Sequence, residues 1–132
     1  MITREFILAG QATFTVSNPQ GVHYTFRVAM SGTAHFAAVL TGSDNERSYT
    51  YAGIVNAVDG SLRATGASRI AADAESWKVL AWALRRIWRQ DELPQGYEIR
   101  HAGKCGRCGR VLTTPESIES GLGPTCRARQ GE

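Results

Sequence analysis

The chain has 132 residues, of which 42% are apolar and 20% charged, and a net charge of +3. That size implies one domain, with at most a small appendage, and leaves enough apolar residues for a core that does not depend on metal alone. There is no repeat and no low-complexity tract, and the opening MITREFILAGQATF, whose short apolar run is broken at Gly10, is expected to be neither a signal peptide nor a membrane span.

The surplus charge is unevenly placed. Residues 1–99 carry nine Lys/Arg and nine Asp/Glu, whereas residues 100–132 carry six basic groups (Arg100, Lys104, Arg107, Arg110, Arg127, Arg129) and three acidic ones (Glu116, Glu119, Glu132). A mildly basic C-terminal segment permits contact with nucleic acid without requiring it.

In chain order, ATFTV alternates Ala12, Phe14 and Val16 with Thr13 and Thr15, the period-two pattern of a half-buried strand. SNPQG at 17–21 reads as a turn, and VHYTFRVAM then sets Val22, Tyr24, Phe26 and Val28 on one face against His23, Thr25 and Arg27 on the other. HFAAVL (35–40) suits a central strand, TGSDNERS a polar loop, and YTYAGIV (49–55) another strand. Asp59-Gly60 marks a hairpin into SLRATG.

Residues 74–90, AESWKVLAWALRRIWRQ, are expected to form a helix with Asp73 as N-cap and Pro94 beyond its end. Trp77, Leu80, Ala81, Leu84, Ile87 and Trp88 form one wide apolar stripe. Lys78, Trp82, Arg85 and Arg89 form a second stripe, with Arg86 beside it. Such a face either stacks on a base or a protein partner, or is a solvated basic face whose Trp82 leans on a loop or on the C-terminal segment. YEIRH (97–101) reads as a last short strand, with Tyr97, Ile99 and His101 on one side.

All three cysteines follow: Cys105 and Cys108 in a C-x-x-C turn, and Cys126 with seventeen residues between it and Cys108. Thr114, Pro115 and Gly121 suit a short intervening helix, and Pro124 the start of a last turn holding Cys126. Without an export signal a reducing cytoplasm is expected, where clustered cysteines favour metal over disulfides. Thiolate-rich ligands suit a structural Zn²⁺, with His101 as the fourth ligand. His23 is a weaker rival on the Thr/Arg side of its strand, and His35 reads as a packed core residue. A redox C-x-x-C lacks a surrounding thioredoxin-like pattern, and a catalytic zinc lacks a nearby general base. No nucleophile–base pair is evident, so no enzymatic activity is expected.

The run from His101 to Cys126, H-x-G-x-C-G-R-C-G-R-x-L-T-x-P-E-S-I-x-x-G-x-G-P-x-C, resembles the C-terminal zinc module of an uncharacterised domain family common in bacteriophage, prophage and actinobacterial proteins. LTGSDNERSYTYAGI (40–54) and ILAGQATFTV (7–16) are similar to segments found with it. The resemblance implies a zinc-binding accessory protein, phage or mobile-element encoded and working in the cytoplasm of a bacterial host. It names no catalytic residue.

The expected fold is therefore α+β: an antiparallel β-sheet covered by one amphipathic helix, residues 1–96, with a zinc-ribbon or treble-clef-like module over 97–132 packed on it. The expected function is binding of nucleic acid through Lys78, Trp82, Arg85 and Arg89 on the helix and Lys104, Arg107, Arg110, Arg127 and Arg129 around the metal. The alternative is a protein-binding module that inhibits or redirects a host defence complex.

Overall fold

The structure is a computed structural model that describes residues 2–44, 47–108, 112 and 120–123. It opens with a single helical turn, α1 (Arg4–Ile7), whose N-cap Thr3 accepts a hydrogen bond from the Phe6 amide at 3.3 Å. This turn buries Phe6 and Ile7 completely. Strands β1 (Gln11–Ser17), β2 (His23–Ser31), β3 (Ala34–Leu40) and β4 (Tyr49–Val55) follow at the places where apolar and polar residues alternate. The turn between β1 and β2 is held by Asn18, whose Oδ1 accepts from the Gln20 and Val22 amides. β5 (Leu62–Arg63) is only two residues long, and β6 (Glu98–His101) comes after the helix α2 (Glu75–Arg89).

The six strands form one sheet in the order β5-β4-β3-β2-β1-β6, every neighbouring pair antiparallel. A bulge at Ala37/Ala38, where β3 meets β4, breaks the register, and such irregularities increase local bend and twist. The sheet curls into a half-barrel.

One face is covered. Ala12, Phe14 and Val16 of β1, Phe26 and Val28 of β2, Ala37 and Val39 of β3 and Ala52 and Val55 of β4 pack under Leu80, Ala83, Leu84 and Ile87 of α2. Each large side chain taken fully out of water here contributes about 1.5–3 kcal/mol. Two tryptophans pin the helix at its flanks: Trp77 Nε1 donates to the Ala52 carbonyl and Trp88 Nε1 to the Ala57 carbonyl, both at 3.2 Å. The N-cap is Ala74, with no side-chain cap, rather than Asp73, and Gln90 closes the other end in the left-handed conformation at φ 57°.

The expected α+β class is corrected by this architecture. The fold is mainly antiparallel sheet, with one helix of several turns. No zinc ribbon or treble clef is formed by the described residues. The physical reason lies in β6. This strand completes the edge of the main sheet, with Phe14 opposite His101 and Val16 opposite Ile99.

Among the described residues no helix is long and apolar enough to cross a membrane.

Candidate metal-binding site

Beyond β6 the chain turns back on the start of β1. Gly106 is the pivot: its carbonyl accepts from the Gln11 amide at 2.6 Å, and its own amide donates to the Gly121 carbonyl at 2.7 Å. Gln11 Nε2 adds a bond to the Arg107 carbonyl at 3.3 Å. Both glycines sit against the Phe6 ring. A Cβ on Gly106 would lie 2.6 Å from Phe6 Cδ1, and one on Gly121 would overlap the same atom. Gly121 also has φ +74°, a conformation side chains disfavour. Phe6 thus brings together the C-x-x-C turn and the segment that leads to Cys126.

Cys105 is completely buried, in a small cluster with Ala9, Leu112 and Leu122. Burial pushes its thiol pKa up. Backbone amides of Gly123, Cys108 and Arg107, together with the Cys108 side chain, outweigh that and bring it from 9.0 down to about 7. The Arg107 amide lies 3.4 Å from Sγ. Amides converging on one sulfur stabilise its anion, which is the form that ligates metal. Cys108 is exposed beside it.

His101 lies where alternation placed it. Being opposite the buried Phe14, it points to the covered side, and its ring is 5.8 Å from that of Phe6. Its Nδ1 accepts from the Gly103 amide at 2.9 Å. In neutral His101 the proton is then on Nε2, so ligation through Nε2 would require the ring to give up this bond. His35 is buried with Nε2 3.2 Å from the Leu8 carbonyl, and His23 is exposed at a strand end. Among the described residues no three His, Cys, Asp or Glu side chains gather as a metal site. Cys126, Arg110, Arg127 and Arg129, and the helix and last turn expected around Thr114 and Pro124, lie outside the described residues.

The basic helix face is less open than its sequence implies. Lys78, Arg85 and Arg89 are exposed, but Trp82 is half-buried and packs against the main core. Its ring tilts against Tyr97 at 5.3 Å, and the Arg86 guanidinium lies 5.3 Å from its centre. The indole leans on the loop before β6. Lys104 is exposed and Arg107 half-buried.

A second surface escaped the sequence reading. The other side of the half-barrel, which no described helix covers, forms a hollow of about 1080 Å³ lined by residues of β1 and β2, by Leu40 and Tyr49, and by Ala102 and Lys104. Within it the Arg27 guanidinium stacks on the Tyr49 ring, 4.0 Å from its centre. The signal was present in the alternation of Thr25 and Arg27 with Tyr24, Phe26 and Val28. What it lacked was the partner strand that places Tyr49 on the same side.

A family model described as a family of unknown function (DUF6011) matches residues 98–131. The segment is similar to an uncharacterised domain. The match takes in β6, the C-x-x-C turn and Cys126, and does not extend to residues 7–16 or 40–54. No curated protein and no solved structure matches the chain.

Proposed function

We propose that the chain is a small non-catalytic accessory protein that holds one structural Zn²⁺ and binds nucleic acid. The observation that carries the metal is the Cys105 sulfur, buried yet ringed by amides that favour its thiolate. Cys105, Cys108 and Cys126 are the thiolate ligands, and His101 completes the set once it releases Gly103. Bound zinc would cross-link the C-x-x-C turn to Cys126, and its binding energy would become folding energy. The basic surplus in residues 100–132 supplies the attraction for phosphates. A phage or mobile-element origin, and work in the cytoplasm of a bacterial host, belong to this reading through the family resemblance of the segment.

The test is fluorescence anisotropy of zinc-loaded protein with labelled single-stranded DNA, duplex DNA and RNA at low and moderate salt. Saturable binding that weakens as salt rises supports the reading. Absence of binding to all three at tens of micromolar protein removes nucleic acid as the partner and leaves the host-protein alternative.

A further inference from the structure

An antiparallel sheet with one covered face usually turns polar residues to water on the other. Here the uncovered face is divided. Register places Thr13 and Thr15 of β1 beside Thr25 and Arg27 of β2, with the Thr15 and Thr25 hydroxyls 2.7 Å apart. Arg100 of β6, opposite Thr15, and Lys104 extend this half. The other half is aromatic and apolar: Phe36 and Ala38 of β3 share the face with Tyr51 and Ile54 of β4, and Leu40 lies opposite Tyr49. The Phe36 and Tyr51 rings meet at 5.9 Å. The cation–π pair of Arg27 and Tyr49 joins the two halves.

Charge points the same way. Arg27 and Lys104 line the hollow, and none of its described lining residues is a carboxylate. The acid nearest in the register, Glu98, is paired with Arg100 at 2.8 Å. The hollow exceeds two further cavities of about 300 Å³ each, which lie on the side of α2.

We propose that this concave sheet face is the binding surface for a single-stranded polynucleotide, its bases on the Tyr49 side and its phosphates along Arg27, the threonines and Lys104. Half-buried aromatic rings beside a cationic, hydroxyl-lined track are the combination that single strands need. Base faces are open for stacking only when unpaired, and the backbone needs a run of cations and donors. The Arg27 guanidinium lies over the Tyr49 ring in the free protein, so an unpaired base takes its place on the ring as Arg27 turns to the neighbouring phosphate; a duplex offers no such base face. This assignment rests on the nucleic-acid reading above and moves the contact from the helix to the sheet.

The experiment uses the full zinc-loaded chain and a fluorescein-labelled oligothymidylate of about 12 nucleotides, within the span one small β-barrel covers. Three variants are compared with the wild type: Tyr49→Leu, Thr25→Glu, and the helix-face pair Lys78→Gln/Arg85→Gln. Circular dichroism and zinc content verify each fold. Tyr49→Leu is expected to weaken binding by about tenfold, the scale of one lost base–aromatic stack, and Thr25→Glu by a similar factor through repulsion of the phosphates, while the helix pair, which removes two charges outside the contact, weakens it less than either. Hollow variants that bind like the wild type while the helix pair loses binding overturn this proposal and leave the nucleic-acid reading standing. Equal affinity for a duplex also overturns it. If the wild type binds no polynucleotide, both fall together.

Discussion

At the scale of single residues, Cys105 and Phe6 decide how the C-terminal segment is held. The folded pKa of Cys105, about 7, lies below its ordinary value of 9.0. Folding therefore favours the thiolate, and in metal-free protein this contribution is complete above pH 9 and is lost as pH falls through about 7. Denaturant titrations of the metal-free protein should show stability rising across that interval, and Cys105→Ser should flatten the rise. Phe6 acts through shape. Its ring fills the space that Gly106 and Gly121 leave open and also meets the His101 ring. Phe6→Ala should cost about 3–5 kcal/mol in denaturant unfolding, as for a fully buried aromatic. Zinc should also be released to a chelator faster from this variant, because the two halves of its site lose their common support. Phe6→Leu should restore most of the stability. Neither role was legible from local sequence. The Phe6 contacts join residues about a hundred positions apart, and the amides on Cys105 Sγ come partly from Gly123.

At the scale of elements, the strands were legible because one face of each is buried and the other is not, so alternation is written into the side chains. The burial of β1 and β3 alternates residue by residue. The apolar ridge of α2 was readable for the same reason, at helical spacing. What sequence could not show was anything set by register. The membership of β6 in the main sheet, the bulge at Ala37/Ala38 and the pairing of Arg27 with Tyr49 all depend on which strands lie side by side. The lone turn α1 is too short to display a period. The hairpin between β4 and β5 gives a clean test of element packing. Gly60 has φ +75°, and a Cβ there would lie 2.5 Å from Trp88 Cδ2, beneath the ring that anchors α2. Gly60→Ala should destabilise by about 1–3 kcal/mol, through overpacking and the disfavoured φ. Gly66 has nothing within 4 Å of its would-be Cβ. Gly66→Ala should be neutral or stabilising by up to about 1 kcal/mol, since alanine restricts the unfolded chain. Thermal melts of the two variants side by side separate a packing cost from a general intolerance of the β4–β5 region.

For the whole molecule, the half-barrel divides the work. Its covered face holds the main core under α2, and its first strand, β1, receives both β6 and the cysteine turn. The turn belongs to the fold through Gln11, Ala102 and Phe6, so the proposed metal would add to a body that already has a core. Removal of zinc is expected to loosen the residues after Gly103 while leaving the sheet folded, which amide hydrogen exchange with and without a chelator would report as lost protection confined to that end. A global loss of protection would instead mean that the sheet depends on the metal.

The most direct measurement is native mass spectrometry of the chain expressed with ample zinc, beside Cys105→Ser and Cys126→Ser. The account predicts one Zn²⁺ per wild-type chain and its loss from both variants. A wild-type chain that carries no zinc, or a Cys126→Ser chain that retains it fully, would contradict the assignment of these thiolates as a single metal site.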